Sequence, residues 1–146
     1  GYIAGRAKRQ LVKPEFTKVH PALKDEADQL AEVIHDLALG VEHLLMSEGK
    51  AIIEKQFHQE RLANAAIDIY LSVCTLSRAT GALEAAGGDE AKAARDLDCA
   101  RLFVASAARR ARRAVRALSR NQDARQKAVA ERAMESAELC PEVPIG

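Results

Sequence analysis

Glu32 and His35 form an E-x-x-H pair, the spacing that di-iron carboxylate bundles use twice to place metal ligands on facing helices. No second E-x-x-H occurs in the chain, and His43 and His58 fall on different predicted helices without a matching set of ligands. Half of such a site binds metal weakly. The pair therefore indicates a solvated helix surface rather than a metal-dependent bundle enzyme, and we assign no metal-binding or catalytic residue.

Asp68 lies within the apolar half of the second predicted helix. An unpaired carboxylate in apolar surroundings would be costly. Arg61 and Arg78 lie too far along the same helix to be its i+4 partner, so a partner from another helix is expected. Because no second acid–base group accompanies it, Asp68 indicates an ion pair rather than a general base. We interpret Arg61, Asp68 and Arg78 as structural polar anchors.

Arginines crowd the second half of the third predicted helix, and no acid occurs between residues 99 and 122. The first predicted helix carries seven acids against Lys24, so pairing within the chain or between subunits is the leading interpretation. A membrane or partner surface is the second, and nucleic acid is the third. Aromatic residues make up 3% of the chain, which disfavours base stacking. The candidate basic contact surface consists of Arg109, Arg112, Arg113 and Arg116.

The composition is that of one folded domain. The chain has 146 residues, of which 48% are apolar and 29% charged, with a formal net charge of +1. That small net charge indicates no particular partner. No apolar run approaches the about 20 residues that cross a membrane, and the N-terminus lacks the apolar core of a secretory signal.

Three cysteines, Cys74, Cys99 and Cys140, are odd in number and far apart. Their spacing fits neither a zinc site nor a disulfide framework, which indicates a reducing compartment. Because Cys74 and Cys99 fall within helical patterns at apparent core positions, we predict buried, inert thiols.

Helix signals divide the chain into a linker and one bundle. Residues 1–20 carry five Lys or Arg against a single acid, Glu15, and are predicted to be a basic linker. Proline at position 21 suits a first helical turn, Gly49 a helix end and Asp89 an N-cap. Apolar seams of 3.5-residue period and short turns predict an all-α, antiparallel (up-and-down) four-helix bundle over residues 21–146. The helices are predicted at about 21–48, 50–83, 90–119 and 123–139.

The second predicted helix is expected to be the centre of the bundle. Two apolar stripes run along it side by side, so it needs partners on most sides. The seam of the third helix, from Leu97 to Leu118, is rich in alanine and predicts close packing against a neighbour. The two stripes of the second helix are Leu62, Ala66, Ile69, Val73 and Leu76, and Ala63, Ile67, Tyr70 and Cys74.

The second helix also resembles a known family. The run Lys50-Ala-Ile-Ile-Glu-Lys-Gln-Phe is similar to the additional C-terminal helical domain of very-long-chain acyl-CoA dehydrogenases and their relatives. Residues 19–23 and 144–146 look like the lead-in and the chain end of that domain, so the resemblance covers about residues 18–146. Further similar segments are Arg61-Leu-Ala, Ala66-Ile-Asp-x-Tyr and Leu76-Ser-Arg-Ala.

This resemblance implies a domain without chemistry of its own. Enzymes of the family use FAD and a glutamate base to remove hydrogens from the α and β carbons of a fatty acyl-CoA. Both the base and the FAD site belong to a dehydrogenase core that precedes the helical domain, and no segment of this chain is similar to either. The resemblance implies a C-terminal accessory domain of a fatty acid β-oxidation enzyme, with no cofactor in this chain and FAD in the parent enzyme.

The resemblance also implies partners and a location. The domain is expected to meet the dehydrogenase core of its own polypeptide, in a parent enzyme that forms a homodimer. Residues 1–18 would take the part of the family's linker in peripheral membrane contact. The expected location is cytoplasmic, peripheral at the inner membrane face, or mitochondrial in a eukaryote. The alternative function is a free-standing helical binding module that uses the arginine-rich face of the third helix.

Overall fold

The chain forms an all-α bundle in a computed structural model that describes residues 13–135. The described residues contain four α-helices and no strand, so the predicted all-α class is confirmed. A 3₁₀ turn at Pro21–Leu23 precedes the first α-helix, and a second at Gly49–Glu54 follows it. The helices are α1 (Lys24–Glu48), α2 (Gln56–Ala85), α3 (Ala94–Ser119) and α4 (Asp123–Glu135).

Ion pairs between helices show that neighbours in sequence run antiparallel. Asp68 of α2 meets Arg110 of α3, whereas Arg78, farther along α2, meets Asp96, earlier on α3. The two pairs are therefore crossed in sequence order, as antiparallel helices require. Between α1 and α3, the earlier Glu26 pairs with the earlier Arg101, and the later Glu32 pairs with the later Arg112, so α1 and α3 are parallel. This is the up-and-down order predicted for the bundle.

The core lies between α1, α2 and α3, and α3 packs against both of the others. Gly40 of α1 marks a close approach, because a Cβ there would lie 3.2 Å from Val115 Cγ1 and 3.3 Å from Leu118 Cδ1. Small side chains on α3 permit this spacing. The predicted alanine-rich seam of α3 is buried at Leu97, Ala100, Val104, Ala107, Ala111 and Leu118.

Helix α4 lies outside this core. None of its residues is buried. Its first residue, Asp123, accepts hydrogen bonds from Arg61 of α2, which fixes the N-terminal end of α4 against the bundle. In the described part of the chain, three helices thus build the core and the fourth is attached to its surface. The prediction that helix 4 extends to about residue 139 reaches beyond the described residues.

The second helix begins later than predicted. Residues 49–54 form 3₁₀ turns, and the backbone of Lys55 leaves the helical region with φ of −93° and ψ of 75°. As a result α2 starts at Gln56 rather than at about residue 50. Gly49, with φ of +54°, ends α1 as its residue type predicted.

The third helix also starts later, at Ala94 rather than at about residue 90. The Asp89 carboxylate accepts hydrogen bonds from the backbone N–H groups of Ala91 and Lys92, as an N-cap does. The residues after it form turns before regular α-helix begins. Asp89 therefore caps this turn region, and α3 follows it.

The buried face of α2 differs from the predicted stripe by a shift of register. Ala66 and Val73 were predicted to be core, but both are exposed, and Ile69 is half-buried. Small residues take the inner positions because they let α2 lie close to the alanine seam of α3. Ser72 is fully buried there, since its hydroxyl donates to the Asp68 carbonyl oxygen. The buried residues of α2 are His58, Ala65, Ser72, Leu76, Ala79, Thr80 and Leu83.

The prediction of buried cysteines is wrong for the two that the structure describes. Cys74 and Cys99 are both exposed. Cys74 belongs to the second apolar stripe of α2, which faces away from the core, and Cys99 stands one residue before the buried Ala100. Cys140 lies outside the described residues.

Replacing Leu76 with Ala should lower the free energy of unfolding by about 2–5 kcal/mol, because its side chain is 1% exposed and its removal leaves a cavity. Leu71→Ala on the same helix is the matched control; Leu71 is 44% exposed, so the loss should stay below about 1 kcal/mol. Urea unfolding followed by circular dichroism measures both. Equal losses would contradict the assignment of the buried face.

Candidate functional site

Asp68, the first of the predicted polar anchors, joins α2 to α3. Its carboxylate accepts a hydrogen bond from Arg110 Nη2 at 2.6 Å and another from Arg110 Nε at 3.1 Å. The Asp68 side chain is 15% exposed, whereas that of Arg110 is half exposed. The predicted partner from another helix is therefore Arg110. A carboxylate held by two guanidinium bonds acts as a structural anion and is poorly placed to serve as a base.

Arg61, the second anchor, joins α2 to α4. Its guanidinium donates to both carboxylate oxygens of Asp123, with Nη1 2.6 Å from Oδ2. Both side chains are about one-fifth exposed, and Arg61 Cζ lies 5.9 Å from the centre of the Phe57 ring. The hydrogen bond from Arg61 lowers the pKa of Asp123 below its ordinary value, against the opposing effect of burial. The same bond raises the pKa of Arg61.

His58 lies beside this ion pair. It is buried, and its Nδ1 is 3.4 Å from Arg61 Nη1. A guanidinium only donates hydrogen bonds, so this contact favours the tautomer of His58 that carries its proton on Nε2. His58 thus supports the position of Arg61. His58 and His43 both line a cleft between the C-terminal halves of α1 and α3.

Arg78, the third anchor, makes the weakest of the three contacts. Its Nε lies 3.6 Å from Asp96 Oδ1, and its side chain is 84% exposed. Such exposed pairs contribute little to stability, typically about 0–1 kcal/mol. Each of the three predicted anchors therefore meets a residue of opposite charge on another helix. Only in the two bidentate pairs, at Asp68 and at Arg61, is the carboxylate mostly enclosed.

The predicted basic surface divides into two parts. Arg112 Nη2 lies 3.3 Å from Glu32 Oε2, so Arg112 takes part in the packing of α3 on α1. Arg109 donates to the Ser106 hydroxyl of its own helix. Arg113 and Arg116 are exposed, and no carboxylate among residues 13–135 lies within ion-pair distance of them. The structure therefore leaves Arg109, Arg113 and Arg116 together on the solvent side and separates Arg112 from them.

Glu32 of the E-x-x-H pair is engaged in ion pairs. Lys13 Nζ lies 3.2 Å from Glu32 Oε1, and Arg112 forms an ion pair with the other carboxylate oxygen, Oε2. His35 is half-buried on the same helix. Within residues 13–135 no three His, Cys, Asp or Glu side chains are grouped so that they could hold a metal ion.

The sequence placed a second apolar stripe on α2, and the structure turns it outward. Four large apolar side chains are exposed within seven residues: Ile67 is 55% exposed, Tyr70 67%, Leu71 44% and Val73 37%. Cys74 continues the row. We call these five residues the outer patch. Residues 15–19 approach it only at Val73, and no other element of the described chain covers the rest, although the sequence predicts packing on both sides of this helix.

Comparison with known proteins identifies relatives of this chain. A family profile described as "ACAD9/ACADV, C-terminal domain" matches residues 21–139. The very long-chain specific acyl-CoA dehydrogenase, mitochondrial, of Rattus norvegicus is 40% identical over 65 residues, which are 44% of this chain and 10% of the rat protein. The proteins of the same name from Homo sapiens and Mus musculus are each 38% identical over 65 residues, again 44% of this chain and 10% of the relative. The matched segment spans about a tenth of the length of these curated relatives.

Replacing Arg61 with Gln should raise the pKa of Asp123 towards its ordinary value, because the guanidinium hydrogen bond that lowers it is lost. Carbon-detected NMR titration of the Asp123 carboxyl group measures this. Lys127→Gln is the control, since Lys127 pairs with Glu131 within α4. An Asp123 pKa that is unchanged in the Arg61→Gln variant would contradict the pairing.

The pH dependence follows from the direction of this shift. The pKa of Asp123 is lower in the folded chain than in the unfolded chain. The stabilisation from the pair is therefore fully present above the ordinary pKa of an aspartate, and it is lost as the pH falls through the lowered value. Attachment of α4 should weaken only in that acidic range.

Proposed function

Because this chain belongs to the ACAD9/ACADV C-terminal domain family, we propose that it is a non-catalytic accessory domain of an FAD-dependent fatty acyl-CoA dehydrogenase. The dehydrogenase core of the same polypeptide would supply the catalytic base, the flavin and the acyl-CoA site. The helical domain would supply a rigid body that packs on that core. This division of roles between core and helical domain agrees with the comparison, in which the matched segment is only 10% of the rat protein's length.

The cleft between α1 and α3 does not suit a flavin. It has a volume of about 860 Å³ and opens to solvent. Asp36 and Glu48 line it together with Arg112 and Arg116, so its charges are mixed and do not form a dedicated site for the diphosphate of FAD. An isoalloxazine ring also needs a narrow apolar slot, which this open cleft does not provide.

The observation that carries the proposal is the outer patch of α2. Fully burying an exposed side chain of the size of Leu or Ile is worth about 1.5–3 kcal/mol, so a row of them in water is unfavourable. Contiguous apolar surface on a helix marks a protein contact. We assign the dehydrogenase core as the occupant, because the curated relatives have about nine-tenths of their length outside the matched segment.

The proposal extends to the surroundings of the parent enzyme. A homodimer is expected there, and the location would be mitochondrial in a eukaryote, as the relatives' names state for those proteins. Contact with a membrane would be peripheral and made by basic residues. Among residues 13–135 no helix has both the length and the apolar content to cross a bilayer.

The natural polypeptide that carries this segment should be several times longer than 146 residues, yellow, and active in oxidising a fatty acyl-CoA. Purification from its source, intact mass spectrometry and the flavin absorbance spectrum test this directly. A colourless product of 146 residues would refute the accessory-domain proposal and leave the helical fold unaffected.

Ile67→Ser together with Leu71→Ser, made in the full-length enzyme, should lower its thermal unfolding temperature by several degrees, because docking of the outer patch is weakened. Val129→Ser with Met134→Ser is the matched control. These two side chains of α4 are 60% and 65% exposed but do not belong to the outer patch. Equal shifts in the two double variants would show that the patch does not face the dehydrogenase core.

A further inference from the structure

Four arginines of α3 form one stripe on the side of the helix that faces away from the core. They occur at spacings of four, three and four residues, and all are exposed. Eleven residues separate the first from the last, a length of about 16 Å at 1.5 Å per residue. The buried Ala107, Ala108 and Ala111 occupy the opposite side of the same turns. We call Arg109, Arg113, Arg116 and Arg120 the arginine stripe.

The neighbouring arginines differ from the stripe because each of them has a carboxylate partner. Arg110 is held by Asp68 and Arg112 by Glu32, so the two arginines at the flanks of α3 bind acids of the adjacent helices. Across residues 13–135, no carboxylate lies within ion-pair distance of any member of the arginine stripe. Acids of the adjacent helices thus pair with the flanking arginines, and the four arginines of the stripe have no anionic partner within residues 13–135.

Such a stripe carries an energetic cost in the isolated chain. Like charges three or four residues apart on a helix repel one another and destabilise it. Each member of the stripe has such a neighbour, and no acid occurs between residues 99 and 122 to offset the repulsion. An anion seated along the stripe would remove this cost and gain guanidinium–carboxylate hydrogen bonds, which are often bidentate.

We propose that the arginine stripe binds a short acidic helix of another protein, with carboxylates repeated at the same four, three and four spacing. Two helices laid side by side present such side chains in register over the same length of about 16 Å. Each guanidinium would then donate to one carboxylate across the interface. This partner is distinguished by its charge from the core assigned to the outer patch, and the two surfaces meet at a groove that Ile67 and Arg113 both line.

The surroundings of the stripe favour a short acidic helix over an extended polyanion. The adjacent α1 carries two exposed acids outside its ion pairs, Asp25 and Asp36, the second of which lines a cleft together with Arg116. These acids would repel a charged bilayer or a nucleic acid duplex that extended across α1. The stripe itself contains no aromatic side chain on which a base could stack. A single short helix on the outer side of the stripe meets fewer of these acids than an extended polyanion does.

The test uses two synthetic helical peptides of identical composition and the purified 146-residue chain. One peptide carries four glutamates at the stripe spacing, and the other has the same glutamates distributed around the helix. At low salt the chain should bind the first peptide about tenfold more tightly than the second, with affinity falling as salt is added. Fluorescence anisotropy of labelled peptides measures both affinities.

Variants of the chain locate the binding surface. Arg113→Gln with Arg116→Gln should weaken binding of the first peptide about tenfold, the effect of losing two charge pairs. Arg125→Gln with Arg132→Gln is the matched control, because it removes the same charge from exposed positions of α4. If the first double variant has lost helicity by circular dichroism, Arg109→Gln with Arg120→Gln replaces it and should give the same loss.

Several results would overturn the proposal. Equal affinity for the two peptides would show a non-specific charge effect, and an equal loss in the two double variants would remove the stripe as the site. Tighter binding to anionic phospholipid vesicles or to duplex DNA at the same salt would assign the stripe to another class of partner. Self-association of the chain at low salt, abolished by Arg113→Gln with Arg116→Gln, would make a second copy the occupant.

Discussion

Close approach of three helix backbones along the alanine seam of α3 sets the rest of the structure. Within residues 13–135, nine of the eighteen buried apolar residues are alanines, and Gly40 and Ser72 occupy contact positions on the neighbouring helices. Small side chains bring backbones together but remove little apolar surface from water per residue. The large apolar side chains that a thicker core would have used are instead on the outside of α2. A domain built in this way has a thin core and is suited to being covered by another body.

The two bidentate ion pairs give the thin core its specificity. Alanine seams alone allow neighbouring helices to slide by a turn with little change in contact. Asp68 with Arg110 and Arg61 with Asp123 each join residues far apart in sequence and require planar, two-bond geometry. A slide of one turn would leave a mostly enclosed carboxylate without its partner, which is costly. Apolar contact thus stabilises the bundle, and the ion pairs fix its register and hold α4 to it.

Sequence patterns predicted the elements where one periodic signal dominated. The seam of α3 has a single apolar side, and the residues predicted there, such as Leu97 and Val104, are buried. On α2 the pattern had two apolar stripes of similar strength, so periodicity could not decide which side faces inward, and the buried Ala65 and Ser72 belong to neither stripe. The decision depends on the complementary shape of α3, which favours Ala65 and Ser72 over larger neighbours. Exposure of Cys74 follows from the same choice.

The polar residues show a similar limit. Asp68 and Arg61 could be recognised as anchors from their apolar surroundings. Their partners could not be identified, because these depend on the register between helices and on the position of α4, and no local sequence pattern encodes either. The sequence did not predict that the outer patch is exposed. An apolar stripe has the same sequence pattern whether it packs against the same chain or against another protein. Its partner cannot be found within residues 13–135.

The outer sides of α2 and α3 have opposite chemical character, and this separation limits what the domain can do. An apolar row favours a permanent contact, because its stabilisation does not depend on salt and its exposure is unfavourable at all times. A row of guanidinium groups is well solvated when free, and its contacts weaken with ionic strength. The first surface is therefore suited to holding the domain on a core, and the second to a partner that binds and leaves. The two faces meet at a groove that Ile67 and Arg113 both line, so a body held on the outer patch lies beside the site of the second partner.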